Sequence, residues 1–316
     1  MKPPTLSELP PPPPDKAGWP WTEPSDPLPE RQPDGSTWPR ISIVTPSYNQ
    51  GEFIEETIRS VLLQGYPNLE YVIIDGSSTD GAGEIIEKYA PWIDHWVSEP
   101  DQGQSHAINK GFSRCSGTYG NWLNSDDTLC QNALGKPAVL EVLHEATICV
   151  GRCILVDEQG QKIKTHHAAI HSLEDLLLEH YASIAQPATL FPLMLFREVG
   201  GVDVKNHHTM YFDLWGKMLL VGGSFQYADV ELATKRTYEG QSAWHREELI
   251  RARVANARQL IETCMEWPQE KKRRLHKALD TYATGARLGG GRLVEWGLPE
   301  PVIRTIRQVR GVISRN

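Results

Sequence analysis

Residues 41–75 read ISIVTPSYNQGEFIEETIRSVLLQGYPNLEYVIID, and they contain two apolar strands with an amphipathic helix between them. The run at residues 41–44 predicts a buried strand, and apolar residues at helical spacing in residues 53–62 predict a helix. Gly65 ends that helix, and residues 71–74 predict the next strand. Continuous apolar strands joined by such a helix indicate a parallel pair that is covered on both faces.

The alternation of strands and helices continues along the chain. Short apolar runs at residues 95–97 and 119–123 predict two more strands, and residues 105–112 predict a helix between them. An alternation of this length indicates an α/β domain with a mostly parallel central sheet flanked by helices.

Composition narrows the class of function. The 316 residues carry a net charge of −8, whereas binding to a nucleic-acid backbone depends on clustered Lys and Arg. We therefore expect a small-molecule substrate and no nucleic-acid partner. The five cysteines include no Cys-x-x-Cys pair, so a reducing cytoplasm is expected and neither a disulfide framework nor a zinc ribbon is indicated. No apolar run reaches the ~18 residues of a transmembrane helix, and no signal-peptide core is visible.

The two ends of the chain differ from the middle. Residues 1–39 include five consecutive prolines at positions 10–14, so this leader is predicted to be extended or disordered, with Trp19, Trp21 and Trp38 packed on the domain surface. The predicted α/β domain covers residues 40–242. Residues 243–316 are predicted to form a helical C-terminal extension.

Polar side chains follow the ends of three predicted strands. Thr45, Tyr48 and Asn49 follow the first strand, Asp75 follows the second, and the sequence NSDD at residues 124–127 follows the fourth. Ligands of open α/β sheets lie beyond the carboxyl ends of the strands, so these side chains are expected to converge.

A nucleotide diphosphate fits such a cluster. Tyr48 could stack on a base while Asp75 accepts a ring N–H, which would favour uracil or thymine over purines. Asp126 and Asp127 would hold a divalent cation and, through it, the diphosphate. Taken singly, each acidic site is also explained as a turn residue or a helix cap. The combination favours a ligand site.

Five sequence motifs are spread over this region. They are ISIVTPSYNQ at residues 41–50, VIIDGSSTDG at 72–81, DQGQS at 101–105, AINKG at 107–111 and WLNSDD at 122–127. Together they resemble the nucleotide-sugar-binding half of a family 2 glycosyltransferase, and a thinner similarity continues to about residue 242. The resemblance implies the GT-A fold.

The resemblance also implies a reaction and a set of site residues. The reaction is an inverting transfer of a sugar from a nucleoside-diphosphate sugar, with UDP- or dTDP-sugars favoured, to a hydroxyl of a saccharide or lipid-linked acceptor. It implies Mg²⁺ or Mn²⁺ as cofactor and a role in cell-surface polysaccharide or glycolipid assembly. The predicted donor-binding residues are Thr45, Pro46, Tyr48, Asn49, Asp75, Gln104, Asn124 and Asp126, the predicted metal ligands are Asp126 and Asp127, and the predicted acceptor-binding residues are Gln186, Pro187, His207 and His208.

Asp213 is the predicted general base, by resemblance to the acid that precedes Leu-Trp in relatives. It would take the proton of the acceptor hydroxyl during attack on the anomeric carbon. The alternative is that Asp213 is an acid in the first turn of a helix, where the helix dipole favours negative charge.

Three positions depart from the family pattern. His106 stands where relatives commonly have Asp, Asn124 where many have an acid, and Tyr238 where relatives often have His. A neutral phenol is a poor ligand for a divalent cation, so a catalytically inactive nucleotide-sugar-binding module stays an alternative. A sugar nucleotidyltransferase would need a glycine-rich, Arg-containing loop after the first strand, and residues 45–49 read TPSYN.

The C-terminal extension is predicted to begin with one or two helices over residues 243–283. Further on, Val302, Ile306, Val309 and Ile313 recur at helical spacing, with basic residues on the opposite side. Such a helix can lie at the inner face of a membrane as a peripheral contact. The alternative is that it packs back on the α/β domain.

Overall fold

The computed structural model describes residues 3–143, 146–167, 170–178, 184–206, 209–238 and 246–287. The strands are β1 (Ile41–Ser47), β2 (Leu69–Asp75), β3 (His95–Ser98), β4 (Tyr119–Trp122), β5 (Thr128–Leu129), β6 (Thr147–Val156), β7 (Lys162–His166), β8 (Thr189–Pro192) and β9 (Ser224–Arg236). The helices are α1 (Ile54–Leu62), α2 (Ala82–Tyr89), α3 (Gln104–Arg114), α4 (Pro137–Leu140), α5 (Leu173–Leu178), α6 (Leu193–Glu198), α7 (Met210–Leu220), α8 (Arg246–Thr263) and α9 (Gln269–Arg287).

The strands of the described residues form one sheet in the order β3-β2-β1-β4-β8-β6-β9-β5, with β7 paired to β6. Strand β1 runs parallel to β2 and β4, and β2 runs parallel to β3. The second half is mixed, because β8 is antiparallel to β4 and β6 while β6 and β9 are parallel. The carboxyl ends of β1, β2 and β4 therefore lie at the same edge of the sheet.

Alternate residues of the parallel strands point into two separate cores. Val44 and Val72 belong to the core that includes α3 and α7, whereas Ile43 and Tyr71 belong to the core that includes α1 and α2. Both faces of these strands are covered, which is why they read as continuous apolar runs. The predicted strand–helix alternation is confirmed, but the antiparallel pairs of the second half were not predicted.

The proline-rich leader packs along the α1 face of the sheet. Trp21 and Trp38 are each only 6% exposed, and the indole N–H of Trp19 donates to the carbonyl of Leu129 at 2.8 Å. The expected packing of the three tryptophans is therefore confirmed. Gly65, with φ +64°, ends α1 where the backbone of Pro27 approaches so closely that a Cβ atom would lie 2.8 Å from its Cα, so only glycine fits this turn without strain.

Arg59 of α1 is fully buried under the leader. Its guanidinium donates to the carbonyls of Pro10, Pro20 and Trp21 at 2.8 to 3.2 Å and to the hydroxyl of Tyr89 at 2.9 Å. Proline has no backbone N–H to donate in a sheet. The carbonyls of the leader instead accept hydrogen bonds from the Arg59 guanidinium. A buried charge is tolerated only with such partners.

The described part of the C-terminal extension consists mainly of helices α8 and α9. Helix α8 packs between α7 and α9, with Val254, Ala257 and Leu260 buried. Lys271 and Arg274 from the basic run of α9 both pair with Glu174 of α5. Among the described residues, no helix has the length and apolar character needed to cross a bilayer. The amphipathic segment at residues 302–313 lies outside the described residues.

Arg59→Met should destabilise the protein by about 3 kcal/mol, because three leader carbonyls and one hydroxyl would lose their buried donor. Urea denaturation measures this loss, and limited proteolysis should release the leader faster. Arg31→Met is the matched control, since Arg31 is exposed and donates only to the carbonyl of Gly35; we expect a change within about 0.5 kcal/mol. A loss below 1 kcal/mol for Arg59→Met would contradict the assigned role.

Candidate active site

The carboxyl end of β1 presents an aromatic ring to solvent. Tyr48 is 65% exposed, and Asn49 follows it in the left-handed region with φ +50°. The Asn49 side chain accepts the backbone N–H of Thr79 at 2.9 Å, which fixes the β1–α1 loop to the β2–α2 loop. Thr45 and Pro46 are buried inside the strand, and Thr45 forms a hydrogen bond with the hydroxyl of Tyr71. Their predicted donor contacts would have to come from the backbone.

Asp75 at the end of β2 is completely buried. One oxygen accepts the backbone N–H of Ser78 at 2.9 Å and the hydroxyl of Ser98 at 2.6 Å, and the other accepts the hydroxyl of Ser78. These bonds close the turn after β2 and join β2 to β3. The predicted contact with a nucleobase stays a prediction.

The loop between β4 and β5 carries Asn124, Asp126 and Asp127. The Gln104 side chain, at the start of α3, donates to Asn124 Oδ1 at 2.7 Å. The amide of Asn124 in turn donates to Asp127 Oδ2 at 3.2 Å. Three of the predicted site residues, Gln104, Asn124 and Asp127, are therefore connected by direct hydrogen bonds.

Asp127 is a buried carboxylate, with 1% of its surface exposed. Besides Asn124, it accepts the backbone N–H of Arg236 at 3.0 Å. Burial raises the pKa of Asp127 to about 8, and the negative charge of Asp126 beside it acts in the same direction. Two adjacent carboxylates that repel each other in a buried loop favour a counter-charge.

A buried arginine connects this loop to its surroundings. The guanidinium of Arg236 donates to the backbone carbonyl of Asp126 at 3.2 Å and pairs with Glu56 of α1 at 2.8 Å. It also lies 4.8 Å from the centre of the Phe53 ring, where a cation is attracted to the aromatic face. The Arg236 charge therefore stabilises the backbone of the loop, whereas its backbone N–H holds Asp127.

Tyr238 occupies the position where relatives often have His. Its hydroxyl donates to Asp126 Oδ2 at 3.3 Å and accepts from Gln50 at 3.2 Å, and its ring packs on Phe53. Burial is the main cause that raises the pKa of Tyr238, so the phenol stays neutral. Tyr238 positions the Asp126 carboxylate as a hydrogen-bond donor.

The carboxylates of Asp126 and Asp127 fit a divalent cation that takes its other ligands from phosphate and water. The described residues contain no group of three or more His, Cys, Asp or Glu side chains that could enclose a metal. Mg²⁺ and Mn²⁺ are commonly held by one or two carboxylates together with phosphate oxygens and water. Asp126, on the more exposed side of the loop at 9% exposure, is the better placed of the two acids, because Asp127 already accepts two hydrogen bonds.

Helix α7 places Asp213 next to this edge of the sheet. Tyr211 stacks on Trp122 with a ring separation of 5.6 Å, and the Ser105 hydroxyl contacts the sulfur of Met210, so the first turn of α7 is fixed against β4 and α3. Asp213 is 5% exposed, and Lys217 pairs with it at 2.6 Å.

The predicted acceptor residues are only partly described. Gln186 is 3% exposed, and its amide donates to Asn121 Oδ1 at 2.8 Å and to the Trp122 carbonyl at 2.6 Å. Pro187 is also buried. Gln186 and Pro187 are therefore hydrogen-bonded to strand β4. Among the described residues, the Gln186 Oε1 atom is buried without a hydrogen-bond partner. His207 and His208 lie outside the described residues.

Sequence reasoning missed two residues that hold the loop. The hydroxyl of Thr57 in α1 donates to the carbonyls of Ser125 and Asp127 at 3.0 and 2.7 Å. At the end of β9, the backbone N–H of Arg236 donates to the Asp127 carboxylate. Thr57 read as an ordinary apolar-face position of α1. Arg236 is only 3% exposed, but nothing in its neighbourhood along the chain signals that it is buried.

Comparison with known proteins identifies relatives of this arrangement. Residues 42–197 match the sequence model described as glycosyl transferase family 2. The chain is 39% identical over 102 residues to the Bacillus subtilis protein named "Putative teichuronic acid biosynthesis glycosyltransferase TuaG", and the match covers 31% of this chain and 40% of that protein. Matches to the curated relatives compared cover between 25% and 66% of their own lengths.

Two solved structures share the fold. The structure of S. aureus TarS 1–349 in complex with UDP-GlcNAc aligns with a TM-score of 0.61 at 15% identity, over 80% of this chain and 74% of that chain. A Pyrobaculum calidifontis mannosyltransferase in complex with GDP-Man and Mn²⁺ aligns with a TM-score of 0.52 at 18% identity, over 93% of this chain and 85% of that chain. The predicted GT-A-like α/β fold is confirmed.

Thr57→Val should cost about 1–2 kcal/mol of folding free energy, because the substitution keeps the side-chain shape but leaves two buried carbonyls without their donor. Thr57→Ser retains the hydroxyl and is the matched control. Urea denaturation of both variants measures the difference. Equal stability of the Val and Ser variants would show that α1 does not hold the loop through this hydroxyl.

Proposed function

We propose that this chain, whose residues 42–197 match the model of glycosyl transferase family 2, transfers a sugar from a nucleoside-diphosphate sugar to a hydroxyl acceptor. One observation carries the proposal. The exposed ring of Tyr48 and the carboxylate pair Asp126–Asp127 follow neighbouring parallel strands at their carboxyl ends, where ligands of open α/β sheets bind. The flat ring of Tyr48 suits the base of the nucleotide. The two carboxylates suit a cation that is bound to its diphosphate.

UDP-sugars are the favoured donors, with dTDP-sugars as close analogues. The TarS structure, which shares the fold, is a complex with UDP-GlcNAc, and the mannosyltransferase structure contains GDP-Man. Both ligands have the same arrangement of base, ribose, diphosphate and sugar. The Gln104 side chain is hydrogen-bonded to Asn124, which is in turn bonded to Asp127, and the two amides can bond a ribose hydroxyl.

Asp126 would hold Mg²⁺ or Mn²⁺ together with the donor diphosphate, and the protein's role is to position that carboxylate. A bound cation would supply charge neutralisation at the leaving diphosphate. Tyr238 and Gln50 form a hydrogen-bonded chain that ends on Asp126 Oδ2, and Arg236 holds the backbone of the same residue. Asp126 is thus held through both its side chain and its backbone. This fixes its carboxylate in a site that would offer a cation few protein ligands.

Asp213 is the proposed general base of an inverting transfer. The Asp213 carboxylate is nearly buried, and its salt bridge with Lys217 at 2.6 Å fixes its orientation. It can accept the proton of the acceptor hydroxyl as that oxygen attacks the anomeric carbon from the face opposite the diphosphate. The first turn of α7 contacts β4 through Tyr211 and Trp122, which keeps this helix at the donor edge.

The acceptor belongs to cell-surface polysaccharide or glycolipid assembly in this proposal. The name of the relative TuaG refers to teichuronic acid biosynthesis, and a saccharide or lipid-linked acceptor would present the required hydroxyl. Transfer to either class is compatible with the proposed chemistry, because the base needs only an acceptor hydroxyl that can reach the anomeric carbon of the donor sugar as the nucleoside diphosphate leaves.

A panel of UDP-, dTDP- and GDP-sugars should show donor hydrolysis or transfer that depends on Mn²⁺, with the UDP-sugars turned over fastest. Asp126→Asn should reduce Mn²⁺-dependent UDP affinity at least tenfold, since loss of a ligand or its direct support typically costs about that much. Isothermal titration calorimetry measures the affinity. Metal-dependent donor binding without any turnover would favour the inactive binding module, and absence of both would overturn the proposal.

Asp213→Asn should lower the transfer rate by about 10²-fold or more while donor affinity stays within about twofold, because a general base acts only in the chemical step. Asp229→Asn is the control, as its side chain is 89% exposed and pairs only with Arg152. Rates come from a coupled assay of released UDP. A lowered melting temperature with an unchanged rate would mean that Asp213 only stabilises α7.

A further inference from the structure

The buried state of Asp75 leaves the nucleobase without an obvious acidic partner at the end of β2. Its hydrogen bonds from Ser78 and Ser98 already involve both oxygens, and none of its surface is exposed. A base stacked on Tyr48 would have to displace part of this network to reach it. Displacing buried hydrogen bonds to a charged group is costly.

The next residue, Gly76, has a different acid beside it. A Cβ atom placed on Gly76 would lie 3.2 Å from Asp101 Oδ2 and 3.2 Å from Tyr48 Cδ2. The carboxylate of Asp101 and the edge of the Tyr48 ring therefore flank the same bare backbone position, and they lie within twice that distance of each other. Any side chain at position 76 would crowd both groups.

Asp101 has an oxygen that is available for a ligand. Its Oδ1 accepts the backbone N–H of Gly103 at 2.7 Å, which orients the carboxylate at the start of α3. Within the part of the chain that the structure describes, Asp101 Oδ2 has no hydrogen-bond or ion-pair partner. The side chain is partly exposed. Unlike Asp75, this carboxylate is both fixed and accessible.

We propose that Asp101, and not Asp75, reads the nucleobase by accepting its ring N–H while the base stacks on Tyr48. The inference deepens the proposed function and rests on it. A carboxylate accepts hydrogen bonds only, so it favours bases with a protonated ring nitrogen beside a carbonyl, as in uracil, thymine and guanine. It disfavours cytosine, whose corresponding ring nitrogen is an acceptor. Asp101 would thus set the preference for UDP over CDP.

Asp101→Asn tests the assignment by reversing part of this pattern. An amide can donate to the cytosine ring nitrogen as well as accept from uracil. For the full-length protein with Mn²⁺, we expect wild type to bind UDP about tenfold or more tightly than CDP. In Asp101→Asn this ratio should fall to near one. Calorimetry with UDP, CDP and GDP measures the three affinities, and GDP separates recognition of the N–H from the fit of a larger base.

Asp75→Asn is the matched comparison. It should lower the melting temperature, because an amide nitrogen cannot accept the serine bonds, while the UDP-to-CDP ratio persists. A ratio that survives in Asp101→Asn, or that collapses only in Asp75→Asn, overturns the inference. So does a wild-type protein that binds UDP and CDP equally well, although nucleotide binding itself would then stand. A wild-type protein that binds none of the three nucleotides contradicts the proposed function instead.

Discussion

The buried carboxylate of Asp127 is the constraint on which the site depends. A carboxyl group with so little exposure needs fixed hydrogen-bond partners, and its donors come from opposite parts of the fold: Asn124 in its own loop and the backbone of Arg236 at the end of β9. The parallel half of the sheet is thereby joined to the mixed half at the edge where ligands bind. The second half of the sheet acts as a support for the loop that follows β4.

Helix α1 transmits this support to the rest of the molecule. Thr57 holds the carbonyls of the loop, Glu56 pairs with Arg236, and Arg59 is bound by the leader. The three residues lie within a single turn of one short helix, so the position of the loop, the end of β9 and the leader are coupled through α1. Such coupling holds the loop that carries Asp126 and Asp127 in a fixed position, as a preorganised site requires.

The parallel half was predictable because its strands are covered on both faces, so residues 41–44 and 71–74 read as unbroken apolar runs. Strand β9 was not predictable, because buried and exposed residues do not alternate regularly along it and its register against β6 shifts. The position of Asp75 was predicted, but its partner Ser98 comes from another strand. Local sequence shows which acids follow strands and does not show which oxygens are already bonded. The same limit hid the proximity of Asp101 to Gly76.

The contacts of the leader change where the folding unit begins. The family match starts at residue 42, yet the carbonyls that satisfy the buried charge of Arg59 belong to Pro10, Pro20 and Trp21. A boundary drawn from sequence similarity would cut between a cation and its ligands. A chain cut at that boundary would keep only the Tyr89 hydroxyl among the four partners of the buried Arg59 guanidinium, so the leader belongs to the folding unit although it lies outside the matched region.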